Sequence, residues 1–397
     1  MHNVQVLRNF AHIFERMLSL KIFFTEKKYF APAFMYTCFA LVFSTWIVYI
    51  PFIAHKLQIG EARIGTALFF GSLGSFLTIP LSNRLTIILG VGRQAFWGFI
   101  LYATSLFGIF STPGYYWLLA ALFYYGMCSS IFAIGLNSLV AEVEKRAGKY
   151  IMTGTHGFWS IGGMIGASLG GYLAGRFNMP FVHLGVVLVI LISANLYLRK
   201  EYINIKGEAK TRKEKGSIPW KPILLIAMIA MVMMASEGAI ADWSSLYMKE
   251  VVIVRAELWG LAYALFAVGM AIGRFMGDAM SLRFGSWRLL SMAVLTSIVG
   301  FALVLSTVGV IVFCGFLIIG LGFSVVVPEI YRLASIVDGI RPADGISMIA
   351  ASSNIGFLTG PVILGFVAEL YSLYASFLVL TGFVVIAFVL VSLKKRR

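Results

Sequence analysis

GLAYALFAVGMAIGRFMGDAMSLRFGSWR, residues 260–288, repeats the pattern of GTALFFGSLGSFLTIPLSNRLTIILGVGR, residues 65–93, at a distance of 195 positions. The shift lays Gly65 on Gly260, Gly74 on Gly269, Asn83 on Asp278, Gly90 on Gly285 and Arg93 on Arg288. A shift of 194 then brings Gly162, Gly166 and Gly171 onto Gly356, Gly360 and Gly365. Glycine matches alone arise by chance in glycine-rich helices, but the co-aligned Asn/Asp and Arg pairs make chance the weaker reading. A unit of about half the chain is therefore present twice, in the same orientation.

Around this repeat the composition is that of a membrane protein. Of 397 residues 60% are apolar and 12% charged, with mean hydropathy +0.90; a soluble domain carries about 25% charged residues. With about 20 apolar residues needed to cross a bilayer, twelve segments qualify: 30–54, 65–86, 94–111, 116–139, 152–175, 180–198, 222–247, 258–279, 287–305, 308–329, 344–369 and 372–393. The expected fold is an all-α membrane protein, twelve transmembrane helices in two pseudo-symmetric six-helix bundles, 30–198 and 222–393. Residues 1–29 precede them, 199–221 form a polar linker and 394–397 a basic tail. Parallel repeats of this kind place a binding site between the halves near the bilayer midplane.

The formal net charge of +15 invites a nucleic-acid reading, which the distribution excludes. When loops are assigned alternately to two sides, 27 of the 32 lysines and arginines, Arg274 counted among them, share a side with both termini and the linker. Lys56, Arg63, Arg176, Lys249 and Arg255 fall opposite. By the positive-inside rule both termini are cytoplasmic, and the basic excess serves topology and contact with anionic membrane lipid.

Cys38, Cys128 and Cys314 lie in hydrophobic segments without paired spacing, so no disulfide or metal site is indicated. No removable signal peptide is recognisable. Leu7, Phe10, Ile13, Phe14, Met17 and Leu18 recur at helical spacing, as in an amphipathic helix lying on a membrane surface, with a flexible leader as the alternative.

Gly273-Arg274-Phe275-Met276-Gly277-Asp278, followed by Arg283, Gly285 and Arg288, resembles the loop signature between spans eight and nine of the major facilitator superfamily. The resemblance implies that Asp278, Arg283 and Arg288 form a cytoplasmic latch for an outward-open state, with Gly277 in the same gate. Asn83, with Arg93, stands where the first-half copy of that latch has its acid, and Ile88 replaces an arginine, so that latch is expected to be weaker. Trp46 through Pro51, His156-Gly157-Phe158-Trp159-Ser160, Glu237-Gly238 and Asp242-Trp243 narrow the resemblance to a bacterial branch near the fucose permeases. That branch implies the bacterial cytoplasmic (inner) membrane as location.

Glu237 and Asp242 interrupt the apolar run 222–248. Ionisable groups at that depth usually face a cavity and mark an ion or substrate path; a carboxylate held structurally by hydroxyls or backbone donors is the alternative. At about 100° per residue the two point about 140° apart, unless the helix unwinds at Gly238. Glu237 is the expected proton-linked acid, and Asp242 a hydrogen-bond acceptor near the external gate. Asn137 and Asn354 can donate and accept to solute hydroxyls or bond helix to helix. His156 titrates near neutrality or stands neutral on a neighbouring backbone. Trp46, Trp159 and Trp243 offer aromatic faces for a flat ligand or plain packing. Glu329 and Arg332, three apart on one helix face, suit a gate ion pair, and Glu142 and Glu144 beside Lys145 and Arg146 a charged rim. Span five has Ala167 where the superfamily's antiporter motif has proline, and span four has no basic residue, which counts against drug efflux.

No phosphate-binding loop, catalytic constellation or metal spacing is present in the sequence, so neither ATP, an enzyme nor a cofactor is implied. The expected function is secondary active transport of a small polar organic solute, sugar-like in character, by alternating access with protons as coupling ion and the chain acting as a monomer. The alternatives are export of an amphipathic metabolite or drug by proton antiport, and, remotely, a non-transporting membrane sensor.

Overall fold

The structure, a computed structural model, describes residues 21–148, 151–177, 179–207, 223–340 and 342–394, and the side chains within them except those of Lys21, Thr153, Asp278, Ala279, Ser335, residues 342–344, Ile346, Ser347 and Lys394. The surface helix expected over Leu7–Leu18, most of the linker and the last three residues of the tail lie outside these.

A bilayer offers no water to satisfy backbone groups, so long apolar runs close their hydrogen bonds internally as helices. Among the described residues twelve long ones follow in order: α1 (Lys27–Leu57), α2 (Glu61–Leu89), α3 (Val91–Phe110), α4 (Tyr115–Ala147), α5 (Met152–Phe177), α6 (Pro180–Leu198), α7 (Leu224–Glu250), α8 (Leu261–Phe284), α9 (Ser286–Val304), α10 (Gly309–Phe323, continued by Val326–Ser335), α11 (Pro342–Leu370) and α12 (Leu373–Lys394). Among the described residues ten are long and apolar enough to cross a membrane. The exceptions are α3, which carries Arg93 and Gln94 in its first turn, and α5, which is rich in glycine. The break in α10 falls at Ser324-Val325 because Pro328 has no N–H to give the Ser324 carbonyl and its ring would strike it.

The repeat is reproduced in the packing. In the first half α1 lies on α5, and α4 on α2 and α3; in the second α7 lies on α11, and α10 on α8 and α9. The halves meet through α2 on α11, α8 on α5, and α1 on α7. Gly90 and Gly285, aligned by the repeat, join α2 to α3 and α8 to α9 with the same backbone, φ 79°, ψ 158° and φ 76°, ψ 154°, a conformation open essentially to glycine.

An even number of crossings puts the start of α1 and the end of α12 on one face of the bundle, here the termini face; the other is the far face. Near the far face the repeat glycines make two matching crossings. A Cβ on Gly65 of α2 would lie 2.5 Å from the Pro361 carbonyl oxygen and 3.0 Å from Gly365 Cα on α11. One on Gly260, beside α8, would lie 2.2 Å from the Ala167 oxygen and 3.1 Å from Gly171 Cα on α5. Small residues let the backbones touch, and this closes the halves together at the far face. Glu369 at the end of α11 adds a cap, accepting a hydrogen bond from the Ala62 N–H of α2 at 3.2 Å.

Candidate functional site: a polar belt between the two halves

Helix α7 runs unbroken through Gly238, so Glu237 and Asp242 stay on different faces, about 140° apart. Gly238 instead admits α11, since a Cβ there would meet the Phe357 ring at 2.7 Å. Both carboxylate residues keep part of their surface accessible within the stretch Met233–Met248, whose other residues are all buried, the pattern of side chains facing an internal space. Glu237 Oε2 itself is enclosed and has no hydrogen-bond partner among the described residues. Asp242 lies within reach of Tyr125 and Tyr263, and the Tyr125 hydroxyl is 2.8 Å from that of Tyr102.

Arg274, counted with the loops by the charge distribution, lies within α8, ten residues or about 15 Å before its end. Its Nη1 donates to Ser160 Oγ at 3.0 Å and to the His156 carbonyl at 3.5 Å, both on α5 in the other half. Its charge acts on Glu237 and Tyr263. The His156 ring leans over Tyr36 of α1, centroids 4.7 Å apart. Tyr36 donates to Asn137 Oδ1 of α4 at 2.6 Å, and Asn137 Nδ2 donates to the Ala133 carbonyl at 2.7 Å. A polar belt thus runs from Glu237 through Arg274, Ser160 and His156 to Tyr36 and Asn137, across five helices and both halves.

The belt brings together Glu237, His156 and Asn137; Arg274, Tyr36 and Ser160 are members that sequence reasoning missed. An arginine deep inside a 24-residue helix was the available signal for Arg274. Of the three deep tryptophans, Trp159 is half-buried beside Ser160 and packs edge-on against Phe39 at 4.6 Å. Trp243 is fully buried with no hydrogen-bond partner for Nε1 among the described residues, and Trp46 is buried against Ile50, Ile53, Leu118 and Leu122. These two pack helices and offer no open face. Asn354 is exposed on α11.

At the termini face Glu329 is buried and pairs with Arg332 at 2.8 Å, and Arg332 also donates to Ser281 at the end of α8. Gly277 faces Val325 at the α10 break. Arg283 lies over the Phe284 ring, Arg288 is exposed, and the Asp278 side chain lies outside the described ones. Asn83 and Arg93 are both exposed. The buried polar knot beside them is built by Gln94, whose Nε2 donates to Ser82 Oγ at 2.8 Å and to the Ser82 and Ile131 carbonyls at 3.1 Å, while Oε1 accepts from Thr86 at 2.6 Å. Glu142 pairs with Arg146 at 2.7 Å; Glu144 accepts from the Ile151 and Met152 N–H groups at 2.7 and 3.1 Å, capping the start of α5. Among the described residues no His, Cys, Asp and Glu group suits a metal.

Residues 33–338 match the sequence profile of the Major Facilitator Superfamily. The chain is 28% identical over 364 residues to an uncharacterized transporter, y4wD, of Sinorhizobium fredii, covering 90% of this chain and 95% of the relative. It is also 28% identical over 349 residues to an uncharacterized MFS-type transporter of Yersinia pestis, covering 84% and 87%. In three dimensions it resembles the nucleoside transporter NupG, TM-score 0.72 at 13% identity, over 94% of this chain and 100% of that one. That likeness shows the shared fold. By profile, relatives and fold together, the chain belongs to the Major Facilitator Superfamily and is a membrane transporter, not an enzyme.

Proposed function

We propose that the protein carries a small polar organic solute, sugar-like in character, by rocking residues 30–198 against 222–393, with protons as the coupling ion and Glu237 as the acid that carries them. The observation that bears this reading is the Arg274 bond to Ser160, with Glu237 in reach of the same charge. It ties an ionisable group of one half to the other at mid-depth, so a change in the charge of Glu237 is felt across the interface that must move. Asn137, Tyr36 and Trp159 supply hydroxyl-matching groups and an aromatic edge on the first-half wall. The charge bias of the loops makes the termini face cytoplasmic, in the inner membrane of a bacterium. The far face, closed by the Gly65–Gly365 and Gly171–Gly260 crossings, is then the external gate, and the protein works as a monomer.

Reconstituted protein is expected to concentrate its solute when an inward-directed pH gradient is imposed, and Glu237→Gln to exchange solute without concentrating it. Uptake indifferent to the gradient, or a Glu237→Gln protein that still accumulates solute, sinks the coupling assignment. Everted vesicles report the direction, since export appears there as accumulation.

A further inference from the structure

Five basic residues fall on the far face against the charge bias, and two of them, Lys56 and Lys249, converge on one cavity of about 540 Å³. Its walls come from both halves: the end of α1 with His55 and Lys56, Phe110 of α3, Phe181 of α6, Lys249 at the end of α7 and Trp259 before α8. This is the size of a small-molecule site, apolar with few polar groups. The Phe52 and Trp259 rings lie 5.2 Å apart across the two halves, and Lys249 stands 6.0 Å from the Trp259 ring. Lys56 Nζ is 3.4 Å from the Phe110 carbonyl. The neighbouring acids are Glu250, 3.6 Å from Lys249, and Glu61 against it, both outside the lining. Two ammonium groups therefore face an aromatic chamber with no carboxylate in its wall among the described residues, and deeper in the same interface Arg274 is the next cation.

We infer that this far-face cavity is a capture site for a small organic anion with a flat or apolar body, and that the transported solute is of this class. The inference rests on the transport reading above and narrows its small polar organic solute to an anionic one. The carboxylate lies between Lys56 and Lys249 while the body stacks among Trp259, Phe52 and Phe110. Because both halves supply the wall, the occupied cavity holds the far face closed, and the anion leaves it when the halves part and expose Arg274.

The test uses purified full-length protein and two sets of probes that differ in charge on one skeleton: phenylacetate, 2-phenylethanol and 2-phenylethylamine, and gluconate, glucose and glucosamine. Phenylacetate is expected to stabilise the protein against heating with an affinity about tenfold or more above its alcohol and amine, a difference worth one full charged contact. Lys56→Gln/Lys249→Gln is expected to lose that preference, and Lys56→Arg/Lys249→Arg to keep it. Equal stabilisation by the neutral or cationic probes, no effect of any anion, or a preference that survives the double glutamine variant overturns the inference. An anionic lipid headgroup shares this chemistry. Stabilisation by phosphatidylglycerol nanodiscs, with phenylacetate inert in phosphatidylcholine, assigns the lysines to lipid and overturns it as well. Flux of a neutral probe in proteoliposomes keeps the transport reading and discards the anionic class; binding of phenylacetate with no flux of any probe discards the transport reading and leaves the cavity.

Discussion

Arg274 of α8 donates to Ser160 of α5 at 3.0 Å, a hydrogen bond that joins the two halves of the protein through a charge that also acts on Glu237. Arg274→Gln removes the charged donor that bonds Ser160 and the His156 carbonyl across the halves, at a cost of about 3 kcal/mol. Ser160→Ala deletes a single bond to a charged donor, about 1.5 kcal/mol. Transport by Arg274→Gln is expected to be abolished with a clear fall in melting temperature, and Ser160→Ala to retain transport at reduced rate. Solute flux and thermal unfolding measured on both variants check the order.

Gly260 is expected to tolerate no side chain. A Cβ at 2.2 Å from the Ala167 oxygen forces α8 off α5, and overpacking of this kind costs about 1–3 kcal/mol. Gly260→Ala should part the far face, read as a longer distance between spin labels at Arg63 and Leu370, which are exposed there on opposite halves. Gly108→Ala, whose Cβ meets nothing nearer than 3.7 Å, is the matched change without effect.

Gln94, 1% exposed, satisfies Ser82, Thr86 and the Ile131 carbonyl at once. Gln94→Leu removes four hydrogen bonds, though Ser82 and Thr86 keep bonds to the Ser130 and Ser82 carbonyls, and is expected to cost about 1–3 kcal/mol, whereas Asn83→Ala at an exposed position should stay within about 0.5 kcal/mol. Thermal unfolding of the two variants side by side decides which residue holds α2 to α3 and α4.

Glu329 is 2% exposed, but 41% of the Arg332 side chain remains accessible, so solvent screens part of the pair. Glu329→Gln is expected to lower stability by about 1–2 kcal/mol, below the cost of a fully buried pair. Glu329→Gln/Arg332→Gln should recover part of that loss, a coupling that a double-mutant cycle measures.

The sequence determined the number of spans, the duplication and the oddness of Glu237 and Asp242, because a bilayer imposes a minimum apolar length on every crossing and a repeat preserves its glycines. Gly65, Gly171, Gly260 and Gly365 were legible as aligned positions; that they meet in two pairs across the halves required the crossing of α2 with α11 and of α5 with α8. Trp46 and Trp243 looked like Trp159 in one dimension, and only the packing of neighbouring helices separated two buried rings from one beside the polar belt. Side counting makes Arg274 a loop charge because it takes no account of depth within a helix, and its partners, Ser160 and His156, lie 114 and 118 positions away. Lys56 and Lys249 were exceptions to a charge rule in the sequence and became the walls of one cavity in the structure. Hydropathy acts on each segment alone and is written locally; a partner across an interface is set by which helices the fold makes neighbours, and that belongs to the tertiary structure.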